Sequence, residues 1–339
     1  MTTKLPDAKL YFHDVLWSVP WDDIISERNG ESKRFLEVMK KMGHILEPCQ
    51  NWDATPCAMA WLLLWSRNFG IGQSALALLE CQLPITGGGQ RRMLDVLCRQ
   101  AVELQLDLMV IANPDEASLG EIDPEKVGEV YDRLCAYIAY CANNESRYYI
   151  KMYEKDVLNA VDDLMDSERE LLSETSKYSN LFKKLQKELW GDDVENDGPT
   201  QVPRRAERRG FAKEQKNRLR RWLQHEDLAK WDDEIRNRVA KKRFVNNFPD
   251  LVVGTSVRDM LRKFGMGFGY LSHQRASAVV HGSYIGPFME DWGQGFIPAV
   301  VEDPKILERE AAHVRRFTHN NAFRLHQLRE WIADFCVAG

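Results

Sequence analysis

Between Tyr270 and Ser283 the chain reads Tyr-Leu-Ser-His-Gln-Arg-Ala-Ser-Ala-Val-Val-His-Gly-Ser. This stretch gathers His273 and His281, Arg275, Tyr270 and the hydroxyls of Ser272, Ser277 and Ser283 beside the short apolar run 278–280. An imidazole titrates near neutral pH and moves protons, and a guanidinium holds a phosphate with two parallel hydrogen bonds. The combination points to phosphodiester chemistry. Cleaving RNA without a metal needs a base for the 2′-hydroxyl proton, cations against the charge of the phosphorane, and an acid for the leaving oxygen. His281 is the candidate base or acid and Arg275 the candidate phosphate clamp, with Ser277, His273 and Tyr270 as secondary donors. The product of such a site is a 2′,3′-cyclic phosphate.

Five residues separate Arg275 from His281. This Arg-x5-His spacing resembles the Arg-x4-6-His signature of the HEPN family, small all-helical domains of which many are metal-independent ribonucleases in toxin-antitoxin and antiviral systems. The wording Ser277-Ala-Val-Val280-His281-Gly282-Ser283 is also similar to a Ser-x-x-Val-His-Gly-Ser type motif in a bacterial domain of unknown function. In that group an earlier helix carries an Arg and a Glu before an apolar run, and Arg99-Gln-Ala-Val-Glu103-Leu-Gln-Leu fits. The resemblance covers residues 60–150 and 255–336. It implies an all-α, HEPN-like helical bundle and a metal-independent endoribonuclease of a bacterial toxin or antiviral defence system, with an Arg/His site at a homodimer cleft. No cofactor or metal is expected. Ala276 follows the arginine where active members usually place a polar residue, which favours an alternative: a non-catalytic helical scaffold or partner-binding module with a basic, nucleic-acid-contacting arm.

Helical geometry sets a condition on the pair. Six residues at about 100° each put Arg275 and His281 roughly 120° apart on a continuous helix. Either the helix begins between them, or each site combines groups from two protomers.

The same residues also have structural readings. His281 also reads as a core histidine on a backbone carbonyl, and Arg275 as a surface or salt-bridging residue. Ser277 and Ser283 read more readily as local or capping hydroxyls, and Arg99 with Glu103, one turn apart, as an ion pair. His313, His319 and His326 lack the i, i+4 spacing of a helical zinc pair and read as solvated. Gly70-Ile-Gly72-Gln-Ser-Ala75 matches a dinucleotide fingerprint in letters, but its surroundings read as helix rather than as a strand–turn–helix unit.

The elements that must position these groups are helices. Pro56 suits a first helical turn, and Met59, Leu62, Leu63 and Trp65 continue it. Gly87-Gly88-Gly89 breaks the chain, and residues 91–112 form an amphipathic helix with Met93, Leu94, Leu97, Cys98, Ala101, Leu104, Leu108 and Ile111 on helical spacing. Asn113-Pro114-Asp115 ends it, and Asp123-Pro124-Glu125 opens another that runs towards Trp190. A helix from Thr255 through Phe264 leads to Gly265, Gly267 and Gly269, which loosen the backbone before the motif. The last helix runs from Pro304 to about Cys336, and a short strand is possible at residues 296–301. The expected organisation is an N-terminal adaptor at 1–54, a HEPN-like bundle from 55–144 and 254–339, and a helical hairpin insertion at 145–253 with an acidic linker at 191–203. In the hairpin, residues 145–190 pack against one polar helix, 204–244.

Charge is uneven along the chain. Residues 203–243 hold fifteen Lys or Arg against seven Asp or Glu, so this arm carries +8 within a chain of net charge −5. Arg204, Arg205, Arg208, Arg209, Arg218, Arg220 and Arg221 are the candidate RNA contacts, and a solvated helix face is the alternative. Seven cysteines without close pairing indicate neither a disulfide framework nor a zinc knuckle, and read as buried small hydrophobes. The first residues lack an apolar signal core and no apolar run is long enough for a bilayer, so a cytoplasmic location without a membrane is expected. RNA, a second copy of the chain and a regulatory protein are the expected partners.

Overall fold

Alternation between proline-led starts and apolar helical spacing produces an all-α fold. The computed structural model describes residues 30–45, 55–80, 89–115, 124–153, 205–241, 245, 247–280 and 304–336, and all regular structure among them is helical. The α-helices are α1 (Gly30–Ile45), α2 (Pro56–Glu80), α3 (Gly89–Ala112), α4 (Val127–Tyr153, after a 3₁₀ turn at Pro124–Lys126), α5 (Arg205–Leu223), α6 (Glu226–Ala240), α7 (Phe248–Val253), α8 (Val257–Lys263), α9 (Gly267–Val280) and α10 (Pro304–Cys336). The possible strand at 296–301, the acidic linker at 191–203 and residues 154–190 of the expected hairpin lie outside the described residues.

Helix α3 is the centre of the bundle, packed by α2, α9 and α10 and touched by α7 and α8. The expected one-sided stripe is therefore incomplete. From Ala101 to Ala112 every residue except Glu103 is buried, including Gln105, Leu106, Met109 and Val110, while Met93 of the expected stripe is 49% exposed. A helix covered on all sides needs apolar residues all round, and the run Leu104-Gln-Leu-Asp-Leu-Met-Val-Ile-Ala112 supplies them. Each fully buried leucine there contributes on the order of 1.5–3 kcal/mol.

Side-chain donors tie the long helices together through backbone carbonyls. Asn321 Nδ2 of α10 donates to the Ala101 carbonyl of α3 (3.0 Å), Asn68 Nδ2 of α2 to the Thr318 carbonyl of α10 (3.0 Å), and Trp61 Nε1 to the Leu325 carbonyl (2.9 Å). Trp61, Trp65 and Phe69 stand one turn apart on α2 and form a ladder of ring contacts with centroids 6.5 and 5.6 Å apart. At the end of α3, Arg133 of α4 donates to the carbonyls of Ile111 (2.6 Å) and Ala112 (3.0 Å), satisfying groups that a helix end leaves without partners.

Two compact units account for the chain, one of residues 1–140 and 226–339, the other of residues 141–225. The polar helix expected over 204–244 is two helices, separated at Gln224–His225, where the amides turn back to Arg221 and Trp222 carbonyls. The reason is that α6 is committed to the first unit. Asp227 accepts from the Tyr131 hydroxyl (2.6 Å), Trp231 Nε1 donates to Asp132 (3.0 Å), and Leu228 and Ile235 are buried. Helices α6 and α7, which fall in the range assigned to the insertion from sequence, thus pack with the bundle, as does α1 of the expected adaptor, whose Glu31 pairs with Arg315 of α10 at 2.6 Å. In the second unit α5 buries Ala212, Leu219 and Leu223 and exposes Arg218, Arg220 and Arg221.

Helix α7 had no counterpart in the sequence reading. Asn247 Oδ1 caps it by accepting from the Asp250 amide (2.9 Å), Pro249 sits in its first turn, and Gly254 ends it with φ 73°. Ser256, not Thr255, caps α8, and Gly265 turns the chain at φ 64° before α9.

Candidate functional site

Helix α9 carries Tyr270, His273, Arg275 and Ser277, and it lies against α3 along a close approach. A Cβ on Gly269 would sit 3.2 Å from Val102 Cγ1, tighter than ordinary contact, so glycine eases the packing of α9 on α3 here. Gly267 and Gly269 are accordingly inside the helix rather than in a loose segment ahead of it.

One turn past Gly269, two i, i+4 pairs face each other. His273 Nε2 lies 3.1 Å from Glu103 Oε1, Arg99 Nε donates to the same oxygen at 2.8 Å, and Arg99 Nη1 donates to Ser277 Oγ at 3.0 Å. Arg67 of α2 extends the seam inward, with Nη2 3.8 Å from Glu103 Oε2 and Nη1 donating to Asp107 Oδ2 at 2.9 Å. The outer members keep partial contact with solvent: Arg99 is 27%, Glu103 28% and His273 20% exposed. Burial works against the charge of Glu103, but hydrogen bonds from His273 and Arg99 outweigh it and hold the carboxyl down at about 2. Asp107 goes the other way. Burial pushes it up to about 6, against the pull of Arg67 and with the charge of Glu103 adding to the rise.

An ionised carboxylate only accepts, so in its contact with Glu103 the His273 Nε2 carries the hydrogen. With the hydrogen on Nε2, the other ring nitrogen, Nδ1, points away from Glu103. Arg99 donates to the Ser277 oxygen, leaving the serine O–H as a donor in turn. A carboxylate-oriented imidazole, a guanidinium and a hydroxyl on adjacent turns can take a proton, offset phosphate charge and donate to an oxyanion.

The structure brings together His273 and Ser277 of the expected site with Arg99 and Glu103. Tyr270 is turned to other partners: its ring stands 5.7 and 5.6 Å from the guanidinium carbons of Arg258 and Arg262, and its hydroxyl accepts from Gln274 Nε2 at 2.6 Å. Arg275 follows His273 by two residues, about 200° around the helix axis. Helix α9 runs from Gly267 to Val280, so no helix begins between Arg275 and Val280. His281 and Arg204 lie outside the described residues, and Arg205, Arg208 and Arg209 lie on α5. Gly70 and Gly72 sit inside α2 with no strand before them among the described residues, so the dinucleotide reading is removed.

Arg67 and Asp107 were missed in the sequence, although a signal for them exists. Arg67 is the sole charged residue of α2 before Glu80, and Asp107 the sole one of α3 after Glu103. A single charge in an otherwise apolar helix implies a partner inside the protein. Among the described residues no three His, Cys, Asp or Glu side chains converge as metal ligands. No helix of the described residues is long and apolar enough to cross a membrane.

No protein-family model, curated protein or solved structure matches the chain.

Proposed function

We propose that this chain is a metal-independent endoribonuclease of a bacterial toxin or antiviral defence system, acting as a homodimer. The observation that carries the reading is the meeting of His273, Glu103, Arg99 and Ser277 across α3 and α9. His273 is the base for the 2′-hydroxyl, Glu103 fixes its tautomer, and Arg99 and Ser277 meet the phosphate. In this reading Arg275 and His281, which carry the HEPN resemblance, supply the second cation and the acid for the leaving oxygen from the other protomer of the dimer. The HEPN-like assignment supports this reading by analogy of motif spacing.

The test is incubation of the purified chain with total RNA in EDTA, followed by analysis of the new ends. Cleavage to 2′,3′-cyclic phosphates is expected. Intact RNA, or full cleavage by both His273→Ala and His281→Ala, defeats the proposal.

A second reading, a non-catalytic scaffold with a nucleic-acid-binding arm, draws on one specific observation: the four groups satisfy one another, and Ala276 is fully buried. In that case binding of RNA without cleavage is expected, weakening steeply with salt through the exposed Arg218, Arg220 and Arg221. Neutralising those three with Arg204, Arg205, Arg208 and Arg209 flattens the salt dependence, measured by fluorescence anisotropy. An unchanged slope removes the arm as the contact.

A further inference from the structure

Away from the polar seam, the first turn of α2 meets the last turn of α10 at two cysteines. Cys57 and Cys336 are 279 positions apart in sequence, yet their Sγ atoms lie 2.8 Å apart and both residues are 0% exposed. Thr55, which precedes α2, places Oγ1 3.3 Å from Cys57 Sγ and accepts from the Ala58 amide at 3.3 Å. Cys57 therefore sits where a helix start presents amide hydrogens and the positive end of its dipole, a setting that favours the thiolate form. Contact with Cys336 draws the Cys57 thiol below its ordinary range despite burial, with Thr55 adding to the effect. The contrast is Cys135 on α4, which is also buried and which burial, with Asp227 nearby, pushes well above the ordinary thiol range.

We propose that Cys57 and Cys336 form a peroxide-oxidised dithiol site, which on oxidation closes a disulfide between the start of α2 and the end of α10. The sulfurs need to approach by less than about 1 Å to reach a bond of about 2.05 Å. In the first step the Cys57 thiolate attacks one oxygen of hydrogen peroxide. The O–O bond breaks, the departing hydroxide takes a proton to become water, and Cys57 becomes a sulfenic acid. The Cys336 sulfur then attacks the Cys57 sulfur, the S–O bond breaks, and a second water leaves with the Cys336 proton. Two thiols and one peroxide thus give one disulfide and two waters, the thiols losing two electrons and the peroxide gaining them. Peroxide is small enough to enter when a terminal turn opens, and terminal turns are the first parts of a helix to do so. The bond closes a loop between residues 279 positions apart, so it constrains the unfolded state strongly.

The experiment treats the full chain with hydrogen peroxide, blocks remaining thiols by alkylation and maps tryptic peptides without reduction. A peptide pair joining Cys57 to Cys336 is expected, lost on addition of dithiothreitol. The melting temperature is expected to rise by several degrees on oxidation and to return on reduction. Cys57→Ser and Cys336→Ser each abolish the joined pair and the temperature rise. Because the peptide map of the unaltered chain decides by itself, a variant that fails to fold leaves the test intact. Oxidation of other cysteines in place of this pair, conversion of Cys57 to a sulfinic acid without a cross-link, or an equal temperature rise in Cys336→Ser overturns the proposal. None of these readouts depends on RNA cleavage.

Discussion

Glu103 and Asp107 lie one turn apart on the same helix, and both face Arg67, yet their protonation moves in opposite directions. At the outer end Glu103 receives His273 and Arg99 as well, and these donors overcome a desolvation that by itself raises its pKa. At the inner end Asp107 has one cation, a side chain only 10% exposed, and a like charge one turn away. The count of donors decides between burial and charge, not the residue type. The inner pair fixes α2 against α3 from within the packed bundle. The outer group keeps an imidazole and a guanidinium within reach of solvent. A single polar seam therefore divides into an end closed inside the bundle and an end open to solvent.

The division breaks most visibly if the outer end turns out to be structural. His273→Ala is expected to lower RNA cleavage by roughly 10²–10⁴-fold, the range for removing a general base. The helical circular dichroism should be unchanged, because His273 is partly exposed and its loss leaves Glu103 paired with Arg99. Asp107→Ala is the converse experiment. It leaves Arg67 without its nearest carboxylate inside the bundle and is expected to destabilise by roughly 2–4 kcal/mol, as for other broken interior pairs. Denaturant titration of both variants measures the contrast. A larger loss of stability in His273→Ala than in Asp107→Ala would reverse the assignment of the two ends.

The pH dependence sharpens the same comparison. The folded chain holds a proton on Asp107 up to about pH 6, where the unfolded aspartate has already released it near 3.8. The folded state binds more protons across that interval, so stability falls as pH rises from about 4 to about 6, by on the order of 1–3 kcal/mol. Asp107→Asn should remove this slope. Glu103 acts with the opposite sign: its stabilisation is complete above its ordinary value of 4.5 and is lost as pH falls towards about 2. The Glu103→Gln variant should therefore differ most from the parent above pH 4.5 and converge with it in acid. Thermal melts across pH 2–8 report both, and identical slopes in the two variants would contradict the opposed shifts.

What the sequence made legible follows from the range of each signal. Pro56, Asn113-Pro114-Asp115 and Pro304 punctuate helices whose apolar spacing extends over many turns, and these helices stand as expected. Helix α7 has only six residues, too few for a period, although its Asn247 cap and Gly254 stop are both present in the chain. The break at 224–225 has neither glycine nor proline to mark it. It arises because Asp227 and Trp231 are held by α4, a tertiary cause with no local trace. The site divides in the same way. His273 and Ser277 were visible by type and Arg99 with Glu103 by spacing, but 170 positions lie between Glu103 and His273. Their encounter arises from the packing of α9 on α3, which periodicity alone does not disclose.

The smallest expected effect concerns Ser277, where both ends of the comparison bear on one hydroxyl. Ser277→Ala deletes the acceptor for Arg99 Nη1 but leaves that guanidinium paired with Glu103 and in contact with solvent. Its cost in stability is expected to be about 0.5–1.5 kcal/mol, the ordinary worth of one hydrogen bond. Under the proposed ribonuclease function, a serine that only fixes Arg99 predicts cleavage that survives with a raised KM, the guanidinium meeting the phosphate in a less restricted orientation. If the serine hydroxyl instead meets the developing oxyanion, kcat falls while KM holds, since only the transition state loses a partner. Steady-state kinetics on a defined RNA separates these outcomes. A drop in stability as large as that of Asp107→Ala would mean that the outer end is as rigidly built as the inner one.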